Sequence, residues 1–190
     1  TFKSAETKPL EAVYSFMLPR DGALRSFKVT GRVFSAHSEL RPVKEAEKIY
    51  EKGIEDGHLS TLAKQYRDGI VSLNVGNIRP GEEIAVYLEI ITGVESRGNN
   101  LRFRFPFTLS PTYHPKARYA INKDGQGEVQ LPEDTFGDII LPPVVRNADG
   151  LHGIGFDLSI EATGDIKETG SPSHNIRVQK MPQNHSRIFL

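Results

Sequence analysis

A single amphipathic helix interrupts a chain that otherwise alternates apolar and polar residues. Residues 42–56 carry apolar side chains at spacings of three and four, which is the repeat of one helix face. Pro42 suits the first turn, where its missing N–H needs no partner, and Gly57 suits the helix end. One helix among strands must bury its apolar stripe against a sheet. The predicted stripe consists of Val43, Ala46, Ile49, Tyr50, Gly53 and Ile54.

Short strands are predicted on both sides of this helix. In several segments apolar and polar residues alternate with period two, as in antiparallel strands with one buried face. These segments are residues 11–18, 24–36, 70–78, 84–91, 101–107 and 154–160. We therefore predict a mainly β fold: an antiparallel β-sandwich with one amphipathic α-helix (about residues 42–56) packed against a sheet.

Two details of the β pattern carry specific predictions. Pro80–Gly81 is the residue pair that a type II turn prefers, and it predicts a hairpin between residues 70–78 and 84–91. Phe103, Phe105 and Phe107 alternate with arginines, and we expect their rings to lie in the core. After Pro111 the pattern loosens into loops with short extended pieces.

Composition argues against two classes of partner. The 24 basic and 24 acidic side chains balance, so strong nonspecific attraction to nucleic acid or to an anionic membrane is not predicted. No apolar run approaches the roughly 20 residues that span a bilayer, which argues against direct membrane insertion. The chain contains no cysteine, so disulfides and thiolate chemistry are excluded.

Several motifs occur in an order that resembles a known family. The helix has the pattern Ala46-x3-Tyr50-x2-Gly53-x3-Gly57, and it is followed by Asp68-x-Ile70 and by residues 75–82, Val-Gly-Asn-Ile-x-Pro-Gly-Glu. Upstream lies Glu11-Ala12-Val13-Tyr14 with Leu18-Pro19, and downstream lie Arg102-Phe103-x2-Pro106 and Pro111-x-Tyr113. Together these motifs resemble the VIT domain (vault protein inter-alpha-trypsin domain) over roughly residues 1–115. Residues 171–174, Ser-Pro-Ser-His, are similar to a segment between a VIT domain and a following von Willebrand A domain.

The resemblance implies a domain organisation and a role. Residues 1–115 are expected to form the VIT core, and residues 116–190 either to complete the same sandwich or to form a small second β unit. The family's first strands are expected before Thr1. An open sheet edge would then remain, and upstream residues or self-association with another copy of the chain would fill it. VIT domains accompany von Willebrand A domains in multidomain proteins, and for the parent protein we expect a secreted or cell-envelope location.

No pattern of titratable residues predicts a catalytic site. Residues 157–161 begin like the Asp-x-Ser-x-Ser metal site of von Willebrand A domains, but Glu161 replaces the second serine. We interpret the helix carboxylates of Glu45, Glu47, Glu51, Glu55 and Asp56 as a solvated face. The histidines lack metal-ligand spacing, so we predict no catalytic residue, no metal and no cofactor. They are His37, His58, His114, His152, His174 and His185.

Two surface features remain open. Tyr113 and Tyr119, with Lys116 and Arg118 nearby, suit either a recognition patch or a tyrosine that closes the end of the sandwich. Asn184-His185-Ser186 is a glycosylation sequon, which matters only in a secreted eukaryotic protein.

Three functions fit these observations. The first is a non-catalytic protein–protein interaction or scaffolding module, which binds a protein partner or another domain of the same chain. The second is a carbohydrate-binding β-sandwich, which requires exposed aromatic platforms. The third is a hydrolase with a scattered acidic site, which requires distant carboxylates such as Asp138 and Asp157 to converge.

Overall fold

A computed structural model describes residues 1–66, 69–107, 109, 115–147, 153–181 and 185–189. The chain forms two compact units, Thr1–Val145 and Arg146–Leu190. This division does not test the predicted domain limits at residues 115 and 116, which stay a prediction.

The first unit contains eleven strands and two helices, in chain order. They are β1 (Phe2–Lys3), β2 (Leu10–Met17), β3 (Ala23–Thr30), β4 (Ser35–His37), α1 (Val43–Glu55), β5 (Ser60–Gln65), β6 (Ile70–Ile78), β7 (Glu83–Ile91), β8 (Glu95–Arg97), β9 (Asn100–Arg102), β10 (Arg118–Ile121), β11 (Gly127–Gln130) and α2 (Glu133–Phe136). The second unit contains β12 (Asp157–Glu161), β13 (Arg177–Met181) and β14 (His185–Phe189).

Two antiparallel sheets face each other in the first unit. One has the strand order β1–β7–β3–β4, and the other has the order β2–β6–β5. Val29 of β3 and Ile84 of β7 pack against Leu73 and Val75 of β6, and all four are buried. Burying an aliphatic side chain of this kind contributes about 1.5–3 kcal/mol. The mainly β fold with a helix on a sheet is therefore confirmed.

The predicted hairpin between β6 and β7 is wrong. Residues 79–82 do form a tight turn, in which the N–H of Glu82 donates to the carbonyl of Arg79 at 3.1 Å. The two strands nevertheless belong to different sheets. Asn77 has a positive φ of 57°, and its amide donates to the carbonyls of Ile54 and His58, so the strand end turns toward the helix. The chain then crosses to the opposite sheet, because each strand must bury its apolar face against the other.

Two strand predictions require correction. Residues 24–36 form two strands, β3 and β4, because a turn in which the Gly31 N–H donates to the Phe34 carbonyl separates them. Residues 101–107 are not a core strand, because β9 ends at Arg102. Phe103 and Phe107 are 36% and 40% exposed, and the Phe105 and Phe107 rings contact each other at 5.2 Å between centroids. Alternation requires a pairing strand, and none of the described residues pairs with this segment.

The buried face of α1 is narrower than the predicted stripe. Val43 and Ile49 are mostly exposed, whereas Ala46, Tyr50 and Ile54 are half-buried. The helix contacts a single sheet, so only side chains close to the line through Tyr50 and Ile54 lose contact with water. Val43 begins the first turn, and Ile49 lies about 100° around the helix from Tyr50.

Two glycines allow α1 to approach the sheet. A Cβ on Gly53 would overlap the Oγ of Ser60 in β5. A Cβ on Gly76 in β6 would overlap the Cδ1 of Ile54 and lie 2.9 Å from the Tyr50 hydroxyl. The predicted close approach at Gly53 is therefore present, with Ser60 as the neighbour, and Gly76 is its counterpart on the strand.

Gly76→Ala is expected to destabilise the first unit by about 1–3 kcal/mol, because the added methyl group displaces Ile54. Alanine has the higher strand propensity, so propensity alone predicts the opposite sign. Chemical denaturation measures the change. Combining the substitution with Ile54→Ala should recover part of the loss, and additive losses would contradict this explanation.

The second unit is a three-stranded antiparallel sheet with the order β12–β14–β13. Ile188 of β14 is buried between Leu158 and Val178 of the flanking strands. On the other face, the Arg187 guanidinium donates to both carboxylate oxygens of Asp157 and lies 5.0 Å from the centroid of the Phe189 ring. Residues 157–161 thus form an ordinary strand, as predicted.

Candidate functional site: a polar cleft beside the helix

A polar cleft lies on the outer face of the β2–β6–β5 sheet. Alternation in β6 directs Val71, Leu73 and Val75 into the core, so Ser72 and Asn74 lie on the opposite face. Helix α1 forms one wall, and residues 138–140 form the other. The cleft has a volume of about 310 Å³. We call it the outer cleft, and it is lined by Glu47, Tyr50, Glu51, Leu62, Lys64, Tyr66, Ser72, Asn74, Asp138 and Ile140.

Lys64 joins the two walls of the outer cleft. Its ammonium group lies 2.8 Å from a carboxylate oxygen of Glu47 on α1 and 3.0 Å from one of Asp138. The Lys64 side chain is only 18% exposed. The Tyr66 hydroxyl donates to Asp138 at 3.0 Å. These bonds link α1, β5 and a segment more than 70 residues further along the chain.

A second set of hydrogen bonds fixes the helix over β2 and β6. The Tyr50 hydroxyl donates to the carboxylate of Glu11, and the Asn74 amide donates to the same oxygen at 2.9 Å. The Ser15 hydroxyl donates to the Ile140 carbonyl at 2.6 Å, which attaches the opposite wall to β2. No described side chain that is fully buried lacks a hydrogen-bond partner.

The ionisable groups of the outer cleft are displaced away from neutral pKa values. Burial lowers the pKa of Lys64, but the hydrogen bonds with Glu47 and Asp138 outweigh burial and raise that pKa above its usual range. Burial, followed by the bond to Asp138, raises the pKa of Tyr66 to about 12. Burial and Glu11 likewise raise the pKa of Tyr50. The bond from Lys64, then that from Tyr66, lowers the pKa of Asp138 despite desolvation.

The lowered pKa of Asp138 predicts a pH dependence of stability. A carboxyl group with a depressed folded-state pKa stabilises the fold above its ordinary pKa of about 4 and loses that effect as the pH falls through the folded-state value. Asp138→Asn should therefore be less stable than the parent at pH 7 and equal to it in strong acid. Because Asp138 is largely exposed, we expect a difference below about 1 kcal/mol at pH 7.

Thermal denaturation across a pH series measures this effect. Lys64→Met supplies the matched partner, because it removes the cation that lowers the Asp138 pKa. In the Lys64→Met background, Asp138→Asn should no longer change the acid dependence. An unchanged effect in that background would assign the pH dependence to another carboxylate.

The structure separates the residues that the sequence singled out. Of the helix carboxylates, Glu47 faces Lys64 and is not part of a solvated face, whereas Glu45 pairs with Arg41 on the surface. Tyr119 is 44% exposed on β10, and its suggested neighbour Tyr113 lies outside the described residues. His114, His152, Asp68 and Asn184 also lie outside them. Sequence reasoning missed Lys64 and Tyr66; their only signal was two polar residues two apart in a predicted strand.

The described ranges contain neither a candidate metal site nor a helix that could span a membrane. No group of three or more His, Cys, Asp or Glu side chains there is arranged to bind a metal ion. Neither helix in that part of the chain has the length and apolarity needed to cross a bilayer.

Comparison with known proteins decides the family. Residues 1–90 match the model of the vault protein inter-alpha-trypsin domain, VIT. These residues contain β1–β6, α1 and nearly all of β7. Residues 1–90 belong to the VIT family. The Tyr50 and Gly53 positions that carried the resemblance are those at which α1 contacts Glu11 and Ser60, so the VIT helix pattern corresponds to helix-on-sheet packing.

The VIT relatives are parts of larger proteins. Human von Willebrand factor A domain-containing protein 5A is 32% identical over 160 residues, which is 80% of this chain and 20% of that protein. The rat protein of the same name is 34% identical over 118 residues, 59% of this chain and 14% of the relative. Human protein mono-ADP-ribosyltransferase PARP4 is 25% identical over 130 residues, 68% of this chain and 7% of the relative. The chain thus spans a fifth or less of these relatives. No solved structure matches it.

Proposed function

We propose that this chain is a non-catalytic protein–protein interaction module of a multidomain protein that also contains a von Willebrand A domain. Relatives named for that domain support the multidomain setting. The module binds either a separate protein or another domain of its own chain.

The ionic state of the outer cleft carries this proposal. A general acid or base works best when its pKa lies near the operating pH. Here the lysine and the tyrosines have raised pKa values, and Asp138 has a lowered one, so each group keeps a single protonation state near neutrality. Fixed charges and hydroxyl groups of this kind orient a bound surface, and they do not exchange protons with it.

The lining of the outer cleft indicates the chemistry of the partner. Glu47, Glu51 and Asp138 oppose the single cation of Lys64, so the cleft carries a net negative charge. A volume of about 310 Å³ is at the small end of ligand pockets, and the lining is mostly polar. A basic side chain on a protein surface therefore complements it better than an apolar small molecule does.

Cross-linking mass spectrometry of the parent protein tests the proposal. We expect cross-links from Glu47 and Glu51 to one reproducible protein, or to one domain of the same chain. Glu51→Lys at the cleft should remove them, whereas Glu55→Lys, an exposed residue of the same helix outside the cleft, should not. Equal effects of both substitutions, or the absence of reproducible cross-links, would contradict a binding role for the cleft.

The two alternative functions receive less support. Carbohydrate binding needs exposed aromatic platforms, whereas the hydroxyls of Tyr50 and Tyr66 are engaged by Glu11 and Asp138. A scattered hydrolase site needs available carboxylates, whereas Asp138 is paired with Lys64 in the first unit and Asp157 with Arg187 in the second. A glycan array tests the first alternative directly.

A further inference from the structure

One long sheet edge in the first unit is left without a partner strand. β1 pairs with β7 only at Ile84 and Glu83, through Phe2 and Lys3. From Ala85 to Ile91, no described strand pairs with β7 on that side, while β3 covers the other side along its whole length. We call this segment, residues 85–91, the β7 edge.

The backbone groups that face this edge are defined by the neighbouring strands. The N–H of Ser38 donates to the Phe27 carbonyl, and the Phe27 N–H donates to the Ser38 hydroxyl, so Phe27 directs its backbone groups away from β7. Its cross-strand neighbour Leu88 therefore directs its own N–H and C=O toward the β7 edge. By alternation, Val86 and Ile90 do the same. Three donors and three acceptors lie in one row.

The β7 edge lacks the features that normally block strand addition. Exposed edges are usually short, bulged, covered, or interrupted by lysine or proline. β4 is only three residues long, β2 contains a register shift near Leu10, and β5 contacts α1. Residues 85–91 contain no lysine or proline, and the irregularity in the β3–β7 pair lies in β3, between Leu24 and Ser26.

We propose that the β7 edge pairs with the β7 edge of a second copy of this chain, antiparallel and centred on Leu88. This inference rests on the proposed function, since it names one partner of an interaction module. In this register Val86 lies opposite Ile90 of the second copy, and Ala85 lies opposite its Ile91, so apolar residues meet on each face. Tyr87, which is 60% exposed, lies opposite the second copy's Glu89.

The charges of the edge are compatible with this self-pairing. Glu89 is the only charged residue between Ala85 and Ile91. Its carboxylate already accepts from Arg25 at 3.0 Å and from the Ser26 hydroxyl at 2.9 Å, which neutralises it within its own subunit. No like charges face each other across the two-fold axis. The same strand thus serves as both donor and acceptor, as an isologous interface requires.

Sedimentation of the full chain over a wide concentration range tests the proposal, with two substitutions at Tyr87. Tyr87→Glu places like charges opposite each other twice, and it should weaken the dimer by about three- to thirtyfold. Tyr87→Lys, of similar exposure, instead faces the second copy's Glu89 and should not weaken it. Hydrogen exchange should show concentration-dependent protection of the Val86, Leu88 and Ile90 amides.

Three results would overturn the inference: a monomer at every concentration, equal weakening by both substitutions, or protection of these amides already in the monomer, which would mean that another segment covers the edge. The proposed function is tested separately. A monomeric chain that keeps its cross-links at the outer cleft refutes only the dimer, and a dimer without those cross-links refutes only the cleft.

Discussion

Leu73→Ala is expected to lower the free energy of unfolding of the first unit by about 2–5 kcal/mol. Leu73 is fully buried in the middle of β6, between β2 and β5, and it packs against residues of the opposite sheet. Truncation therefore removes buried apolar area and leaves a cavity that neighbours in both sheets cannot fill. The effect follows from the position of β6 as the central strand of its sheet.

Tyrosine fluorescence during chemical denaturation measures this loss. The chain has no tryptophan, and all six tyrosines precede residue 120, so the signal reports the first unit. Leu40→Ala is the matched control, because Leu40 is fully exposed and should change stability by less than about 0.5 kcal/mol. A loss below about 1 kcal/mol for Leu73→Ala would contradict the assigned core.

Tyr50→Ala is expected to have the next largest effect. Removing an aromatic ring from a core typically costs about 3–5 kcal/mol, and because Tyr50 is only half-buried we expect a value near the lower end. The substitution deletes the ring that packs over Gly76 and the hydroxyl that bonds Glu11. It should destabilise the fold without abolishing any chemistry.

Two further variants divide the Tyr50 effect into its parts. Tyr50→Phe keeps the ring and loses only the bond to a carboxylate, a contribution of about 1.5–3 kcal/mol at most. Ile49→Ala changes the neighbouring residue, which is mostly exposed, and should be nearly neutral. An unchanged thermal midpoint in Tyr50→Ala, or a larger loss in Ile49→Ala, would show that α1 presents a different face to the sheet.

Much of the local structure was predictable from the sequence. The predicted helix over residues 42–56 corresponds to α1 at Val43–Glu55, and the predicted strand over 70–78 corresponds to β6. Both depend on residues close together in the chain: a proline at the start, a glycine after the end, and the apolar repeat between them. The VIT resemblance was also confirmed, because its motifs are short and occur in a defined order.

The candidate site was much less predictable. Glu47 was interpreted as part of a solvated face, yet it faces Lys64, and Lys64 binds Asp138, which follows it by 74 residues. No local pattern connects these three residues. The Phe103–Phe107 segment shows the same limit from the other side, because its alternation is that of a core strand but no described strand pairs with it.

The amino-acid sequence by itself determined that this chain is mainly β, that a single long helix begins at Pro42, and that its first 90 residues belong to the VIT family. Only the tertiary structure decided that β6 and β7 lie in opposite sheets, which face of α1 is buried, and which charges meet in the outer cleft. The physical reason is range. Periodicity and turn chemistry act between residues a few positions apart, whereas ion pairs and sheet edges depend on segments that only folding brings together.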